Sequence, residues 1–201
     1  MKQNLISLDN ALKLTRQEVV DLHKEYVNAS LVSLMSLVNF TKQFVKAEGV
    51  RVWDSEGKEY LDFLGGYGAI NLGHNHPKVL AAIDKAKGLP NLLQASLNTL
   101  AGALAHNLAQ ITPGKLKRTF FCNSGAEAVE GALKLARIAT GKTKIISAEN
   151  SFHGKSFGAL SATGREKYQK PFKPLVPDFY HFPFGDSAAL ENLLKNKDAA
   201  A

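Results

Sequence analysis

The chain has little cysteine, tryptophan or methionine, and it has no uninterrupted apolar run long enough to cross a membrane. One cysteine, Cys122, in 201 residues excludes an internal disulfide framework and fits a reducing cytoplasm. Its simplest place is as a small buried thiol in a strand. Without an apolar stretch of about 20 residues, no membrane partner is expected. The N-terminal stretch carries Asp9, Arg16 and Glu18 and lacks the sustained apolar core of a secretory signal. Low-complexity segments and internal repeats are missing too. So is any basic run interleaved with aromatics: the net charge of +7 is dispersed, and its densest cluster is only Lys115, Lys117 and Arg118. Nucleic acid is therefore not an expected partner. His74 and His76 have no cysteine or acidic residue at ligand spacing, so no metal site is expected.

What is present suffices for a packed core. Hydrophobic residues make up 45% and charged residues 21%, ordinary values for one large domain or one and a half average ones. The chain is organised around Thr119–Arg137. Thr119 to Cys122 are β-branched, aromatic or small, which suits a strand buried on both faces. Asn123 and Ser124 are turn and N-cap types, and Gly125 admits a close backbone approach. Val129, Ala132, Leu133 and Ala136 then repeat at helical spacing, and Gly141 supplies a stop. A strand that enters a helix through Ser-Gly aims free N–H groups and the positive helix end at one spot, which suits a phosphate.

Around this centre the chain divides by period. Residues 1 to about 40 read as helix, with a capping box from Thr15 to Glu18 and a break near Asn28–Ser30. Leu31 to Phe40 is apolar enough to pack on another part of the protein or on a second subunit. Phe44–Lys46, Val50–Trp53 and Glu59–Leu64 alternate as strands of a hairpin, with a turn at Asp54–Gly57. The Gly65-Gly66-Tyr67-Gly68 exit lacks the third glycine of a dinucleotide fingerprint. Such a turn presents Tyr67 either to a ligand or to a domain seam. Pro77 opens a helix with Val79, Leu80 and Ile83 facing inward. Asn91 to Leu97 reads as a loop, and a helix follows with Leu100, Leu104, Leu108 and Ile111 on one face. Thr143–Ala148 is a second buried strand, so strand, helix and strand imply a parallel sheet.

The loop Phe152-His153-Gly154-Lys155-Ser156 follows that strand's carboxyl end, where open α/β sheets bind ligands. Gly154-Lys155-Ser156 matches the end of a nucleotide-binding P-loop, but Glu149 stands where the first glycine belongs, which excludes it. Phe172 to Tyr180, punctuated by prolines, reads as extended surface chain. Asp186 or Ser187 caps a last helix through Leu190, Leu193 and Leu194. By the alternation a strand should begin after it, and the chain is expected to be a fragment or truncated product.

In this order and spacing, Phe121-Cys122-Asn123-Ser124-Gly125-Ala126-Glu127-Ala128, Phe152-His153-Gly154-Lys155-Ser156 and Ala159-Leu160-Ser161-Ala162-Thr163 resemble the class III aminotransferases. These are pyridoxal-phosphate enzymes of fold type I. Trp53-Asp54, Glu56-Gly57 and Gly73-His74 with His76-Pro77 fit the same family. The resemblance implies an α/β fold. Residues 1–75 would be a helical arm and β-hairpin belonging to the small domain, and 76–201 an incomplete large domain that binds pyridoxal 5'-phosphate. It implies that Ser124, Gly125 and Ala126 cradle the phosphate, that Phe152 lies on the ring face and that His153 flanks it. Tyr67 and Lys155 would lie toward the substrate. The Schiff-base lysine would lie beyond residue 201, which leaves no catalytic residue in this chain.

Within the family, lysine at 155 in place of the commoner arginine is similar to enzymes acting on putrescine. A lysine cannot grip a carboxylate with a bidentate fork, and a diamine has none to grip. The implied activity passes an amino group from a diamine or ω-amino donor to 2-oxoglutarate by ping-pong, in a cytoplasmic homodimer or higher homo-oligomer. Two alternatives remain: an ornithine or acetylornithine type, and a non-catalytic truncated binding protein.

Overall fold

The computed structural model describes residues 5–90 and 97–201, so the expected loop at 91–96 lies outside the described residues. Two compact units divide the chain, Met1–Gln94 and Ala95–Ala201, a division that falls inside the 76–201 segment expected from sequence.

The first unit opens with short helices α1 (Leu8–Ala11), α2 (Arg16–Leu22) and α3 (Ala29–Leu37). The Thr15–Glu18 capping box forms, each residue satisfying the other's backbone N–H. A π-helical turn at His23–Val27 ends at Asn28, whose side chain accepts from the Leu31 N–H and starts α3. Strands β1 (Phe44–Glu48), β2 (Arg51–Asp54) and β3 (Glu59–Leu61) form a three-stranded antiparallel sheet in chain order. Its anchor is Asp54, only 1% exposed. The Asp54 carboxylate accepts from the N–H groups of Glu56 and Lys58 and from the Tyr60 hydroxyl at 2.8 Å. Lys42 lies 3.6 Å away. The Arg16 guanidinium joins this region by donating to the Thr41 carbonyl and to Glu56. Gly65, Gly66, Tyr67 and Gly68 all take positive φ, which accounts for three glycines in this turn. Pro77 begins α4 (Pro77–Ala86) as expected.

The second unit contains α5 (Thr99–Ile111), capped by Asn98, and α6 (Gly125–Thr140), capped by Ser124 and stopped by left-handed Gly141. Strand β4 (Ile145–Ala148) follows, then α7 (Phe157–Ala162), α8 (Glu166–Gln169), strand β5 (Phe179–Phe182) and α9 (Ser187–Leu194). Strands β4 and β5 pair in parallel, Ile145 opposite Phe179 through Ala148 opposite Phe182. On the other side of β4 the chain returns: Lys144 bridges Ala199 in parallel, and Ile146 N–H donates to the Ala201 carbonyl. After α9, where the sequence showed no strand continuing, the chain makes an isolated parallel bridge to the residue before β4. Among the described residues, the buried apolar ones, Ile145, Ala159, Leu160 and Ala162, all belong to β4 and α7.

Several expectations need correction. Thr119–Cys122 is not a ladder strand: extended chain becomes a strand only where another pairs with it, and none does among the described residues. Phe120 is accordingly 76% exposed, and Cys122 is exposed rather than a buried thiol. The parallel partner of β4 is β5, inside a stretch whose prolines suggested surface chain; the prolines precede the ladder and leave its N–H groups intact. Val79, Leu80 and Ile83 do not face a core and stay roughly half exposed.

Candidate functional site

Helix α6 and the loop that follows β4 are brought together by two contacts. The first is steric. Gly154 is buried with φ +136°, and a Cβ placed there would lie 2.8 Å from the Ala126 Cβ and 2.9 Å from the Ala159 Cβ. No side chain larger than hydrogen fits, so the loop backbone sits directly against the first turn of α6. The second is polar. Glu130, one turn further along α6, accepts a hydrogen bond from the Ser156 hydroxyl at 2.6 Å and from the Ala159 N–H at 3.0 Å.

At the start of α6 the Ser124 hydroxyl accepts from the Glu127 N–H at 3.2 Å, and Glu127 in turn accepts from the Asn123 N–H at 2.5 Å. These bonds fix the turn and leave the N–H groups of Gly125 and Ala126 without an acceptor among the described residues. A Cβ on Gly125 would meet nothing within 4 Å, so the space beside the Gly125 Cα is open. Two free N–H groups and the positive end of a 16-residue helix suit a dianionic phosphate. The donor set therefore fits the phosphate of pyridoxal 5'-phosphate.

The loop is held from its other side by Thr163, which is fully buried. Its hydroxyl oxygen accepts from the His153 N–H at 2.9 Å and lies 3.2 Å from the Gly154 carbonyl and 3.0 Å from the Ala159 carbonyl. Gln169 donates to the carbonyls of Leu160, Ser161 and Thr163, closing the far end of α7. Phe152 is 55% exposed, with Tyr168 edge-on at 6.3 Å between ring centroids. The Lys155 ammonium lies 5.7 Å from the centre of the same tyrosine ring. Lys167 and the Arg165 guanidinium hold the Tyr168 phenol below its ordinary pKa.

Glu130 titrates against opposing influences. Partial burial opposes its ionisation, but the bonds from Ser156 and from the N–H groups of Ala159 and Gly158, with the nearby Lys134 charge, hold its carboxyl below the usual glutamate value.

Of the residues read from sequence, Ser124, Gly125, Ala126, Phe152, His153 and Lys155 belong to this unit, and the Gly154–Ala126 contact joins their two segments. Tyr67 lies in the first unit, 91% exposed on its left-handed turn. His74 is accounted for within its own unit: its Nε2 lies 2.8 Å from Asp62, which also accepts from the Leu64 and Gly65 N–H groups. Glu130, Thr163 and Tyr168 carry much of the geometry and were not legible as site residues. Glu130 reads as one more charge on an amphipathic helix, and Thr163 as the end of a small-residue run.

A helix N-terminus open to an anion, packed against an aromatic loop at the carboxyl end of a parallel strand, defines a phosphate-cofactor domain of the α/β class. Comparison with known proteins assigns it further. The family Aminotransferase class-III matches residues 35–201, and the chain belongs to that family, whose members depend on pyridoxal phosphate. The putrescine aminotransferase of Pectobacterium atrosepticum is 44% identical over 183 residues, which is 87% of this chain and 39% of that protein. The acetylornithine aminotransferase of Bacillus cereus is 47% identical over 165 residues, 80% of this chain and 41% of that one. Among solved structures, the ornithine aminotransferase of Toxoplasma gondii superposes with a TM-score of 0.83 at 30% identity, covering 100% of this chain and 48% of that one. The chain thus spans less than half the length of these relatives.

Among the described residues, no helix is long and apolar enough to cross a membrane.

Proposed function

We propose that this chain forms the phosphate-binding portion of a class III aminotransferase that takes an amino group from a diamine or ω-amino donor of putrescine type and gives it to 2-oxoglutarate by ping-pong. The observation that supports the reading is the close packing of Gly154 on Ala126, which joins the loop carrying Phe152 to the helix start carrying the free N–H groups. Bound pyridoxal phosphate supplies the electron sink for amino-group transfer. The chain's own part is to bind and orient. Gly125 and Ala126 donate N–H groups to the phosphate, Ser124 holds the turn, Phe152 covers one ring face, and His153 flanks it. Lys155 offers a point charge to the oxo acid's carboxylate, and Tyr67 approaches a substrate, that of a partner subunit included.

The choice of a diamine rests on Lys155. An ornithine or acetylornithine donor brings a carboxylate that an arginine fork would hold better, and the likeness to acetylornithine aminotransferases makes that the second reading. The exposed apolar segment Leu31–Phe40, with Leu37 at 84% exposure, supports assembly as a homodimer. The single cysteine supports a cytoplasmic location.

The test is a donor panel on the whole protein with added pyridoxal phosphate and 2-oxoglutarate. Glutamate formation from putrescine should exceed that from ornithine or acetylornithine by at least about tenfold in kcat/KM, equivalent to one lost bidentate contact. The reverse ranking would assign the second reading, and no turnover of any donor would reject both.

A further inference from the structure

The geometry points to Glu130 as a positioning residue that holds the Phe152–Lys155 loop at a fixed distance from the anion cradle. Its carboxylate sits on the same helix as Ser124, Gly125 and Ala126, about one turn further along. It takes the Ser156 hydroxyl at 2.6 Å and the Ala159 N–H at 3.0 Å, so one rigid helix carries both the cradle and the clamp on the loop. The fit is close: a Cβ added at Gly158 would collide with the Glu130 carboxylate.

The loop has a second tie, from His153 N–H to Thr163, but Thr163 belongs to the loop's own side of the contact. Among the described residues, the Glu130 bonds are the hydrogen bonds that link the loop and the start of α7 to α6. Without them the spacing would be set by van der Waals packing, with Gly154 on Ala126 its tightest contact, and such packing resists sliding less than a charged hydrogen bond does. Phe152 could then drift while the N–H groups of Gly125 and Ala126 stayed where the helix puts them.

This inference rests on the reading of 124–126 and Phe152 as a cofactor site, and the two can be tested apart. The probes are pyridoxamine 5'-phosphate, which has phosphate and ring but no aldehyde to react with any lysine, and inorganic phosphate, which needs the cradle alone. Dissociation constants are measured by calorimetry on the whole protein and on its Glu130→Gln, Ser156→Ala and double variants, with thermal midpoints recorded for each.

Glu130→Gln should weaken pyridoxamine phosphate about tenfold, the loss of one charged hydrogen bond, while inorganic phosphate stays within about twofold. Ser156→Ala should move the same ratio in the same direction, and the double variant should add little to either single change. Equal weakening of both probes together with a lowered midpoint would reduce Glu130 to a stabilising residue and overturn the inference. So would no change in either. If Phe152→Ala leaves pyridoxamine phosphate binding intact in the parent protein, the site reading fails and this inference fails with it. If Phe152→Ala weakens it and Glu130→Gln does not, only the inference fails.

Discussion

The two units are held together in different ways. Among the described residues of Met1–Gln94 the most buried side chain is a charged one, Asp54, tied to Tyr60, Lys42 and two backbone N–H groups. Among the described residues no apolar side chain of that unit is fully buried. In Ala95–Ala201 burial is concentrated in one short helix, α7, where Gly158, Ala159, Leu160, Ser161 and Ala162 are all buried. The first unit is a set of turns pinned by polar contacts. The second is a small close-packed centre with the candidate site at its edge. A polar pin fails when its charge is lost, whereas a packed centre fails when its volume changes.

The sharpest way to break this contrast is to add one methyl group to the packed centre. A Cβ on Gly164 would strike the Ala148 carbonyl oxygen and lie 2.8 Å from the Glu149 Cα, both backbone atoms that cannot swing away. Gly164→Ala should cost about 3 kcal/mol, the upper range for overpacking. The cost should appear as faster amide exchange along Ile145–Ala148, while the fluorescence of Trp53 in the first unit keeps its midpoint. A shift of the Trp53 midpoint by the same amount would mean that the two units do not differ as described.

Next in size is the buried hydroxyl. Thr163→Val preserves shape but leaves the His153 N–H without its acceptor, at a cost of about 2 kcal/mol. Pyridoxamine phosphate should also bind more weakly, since the same bond holds the Phe152 loop. Unchanged exchange at His153 would contradict the assignment.

Acid should separate the units by mechanism. The Asp54 carboxyl is held below its ordinary value of 3.8: burial opposes ionisation, but the Tyr60 hydroxyl, the two N–H groups and Lys42 outweigh it. A depressed folded pKa means the unfolded chain binds the proton more readily. The stabilisation is therefore complete above the ordinary value and is lost as pH falls from about there through the lower folded value. The Glu130 tie behaves with the same sign from an ordinary value of 4.5. On lowering pH, exchange at the Ser156–Ala159 amides and at Glu56 and Lys58 should each rise as the carboxylate that holds them takes up a proton. Asp54→Asn and Glu130→Gln should each remove one of these steps. A single coincident transition in all variants would refute the separate pins.

The smallest effect belongs to the surface. Lys173 and Glu166 pair at 2.8 Å with side chains 53% and 64% exposed, and Lys173→Ala should change stability by less than about 0.5 kcal/mol in a denaturant titration.

Much of the local structure was legible from residue types. The Thr15–Glu18 capping box, the Ser124 cap, the Gly141 stop and the Asp186 cap each depend on groups within a few residues of one another. The strands of the first unit were legible for the same reason, since hairpin partners are close in sequence. Thr119–Cys122 was misread as a ladder strand because β-branched and aromatic composition reports fitness for a sheet and not the presence of a partner. Strand β5 was missed for the converse reason: its partner β4 lies more than thirty residues earlier, and no local signal marks that pairing.

By itself the sequence determined the free N–H groups at the start of α6, because a Ser-Gly entry to an amphipathic helix creates them wherever that helix sits. It also determined the family, through the order of its motifs. Only the tertiary structure decided that Gly154 lies on Ala126, that Glu130 reaches Ser156, and that Thr163 holds His153. These contacts join residues 10 to 28 apart in the chain by the packing of a helix against a loop, and steric fit of that kind has no one-dimensional signature.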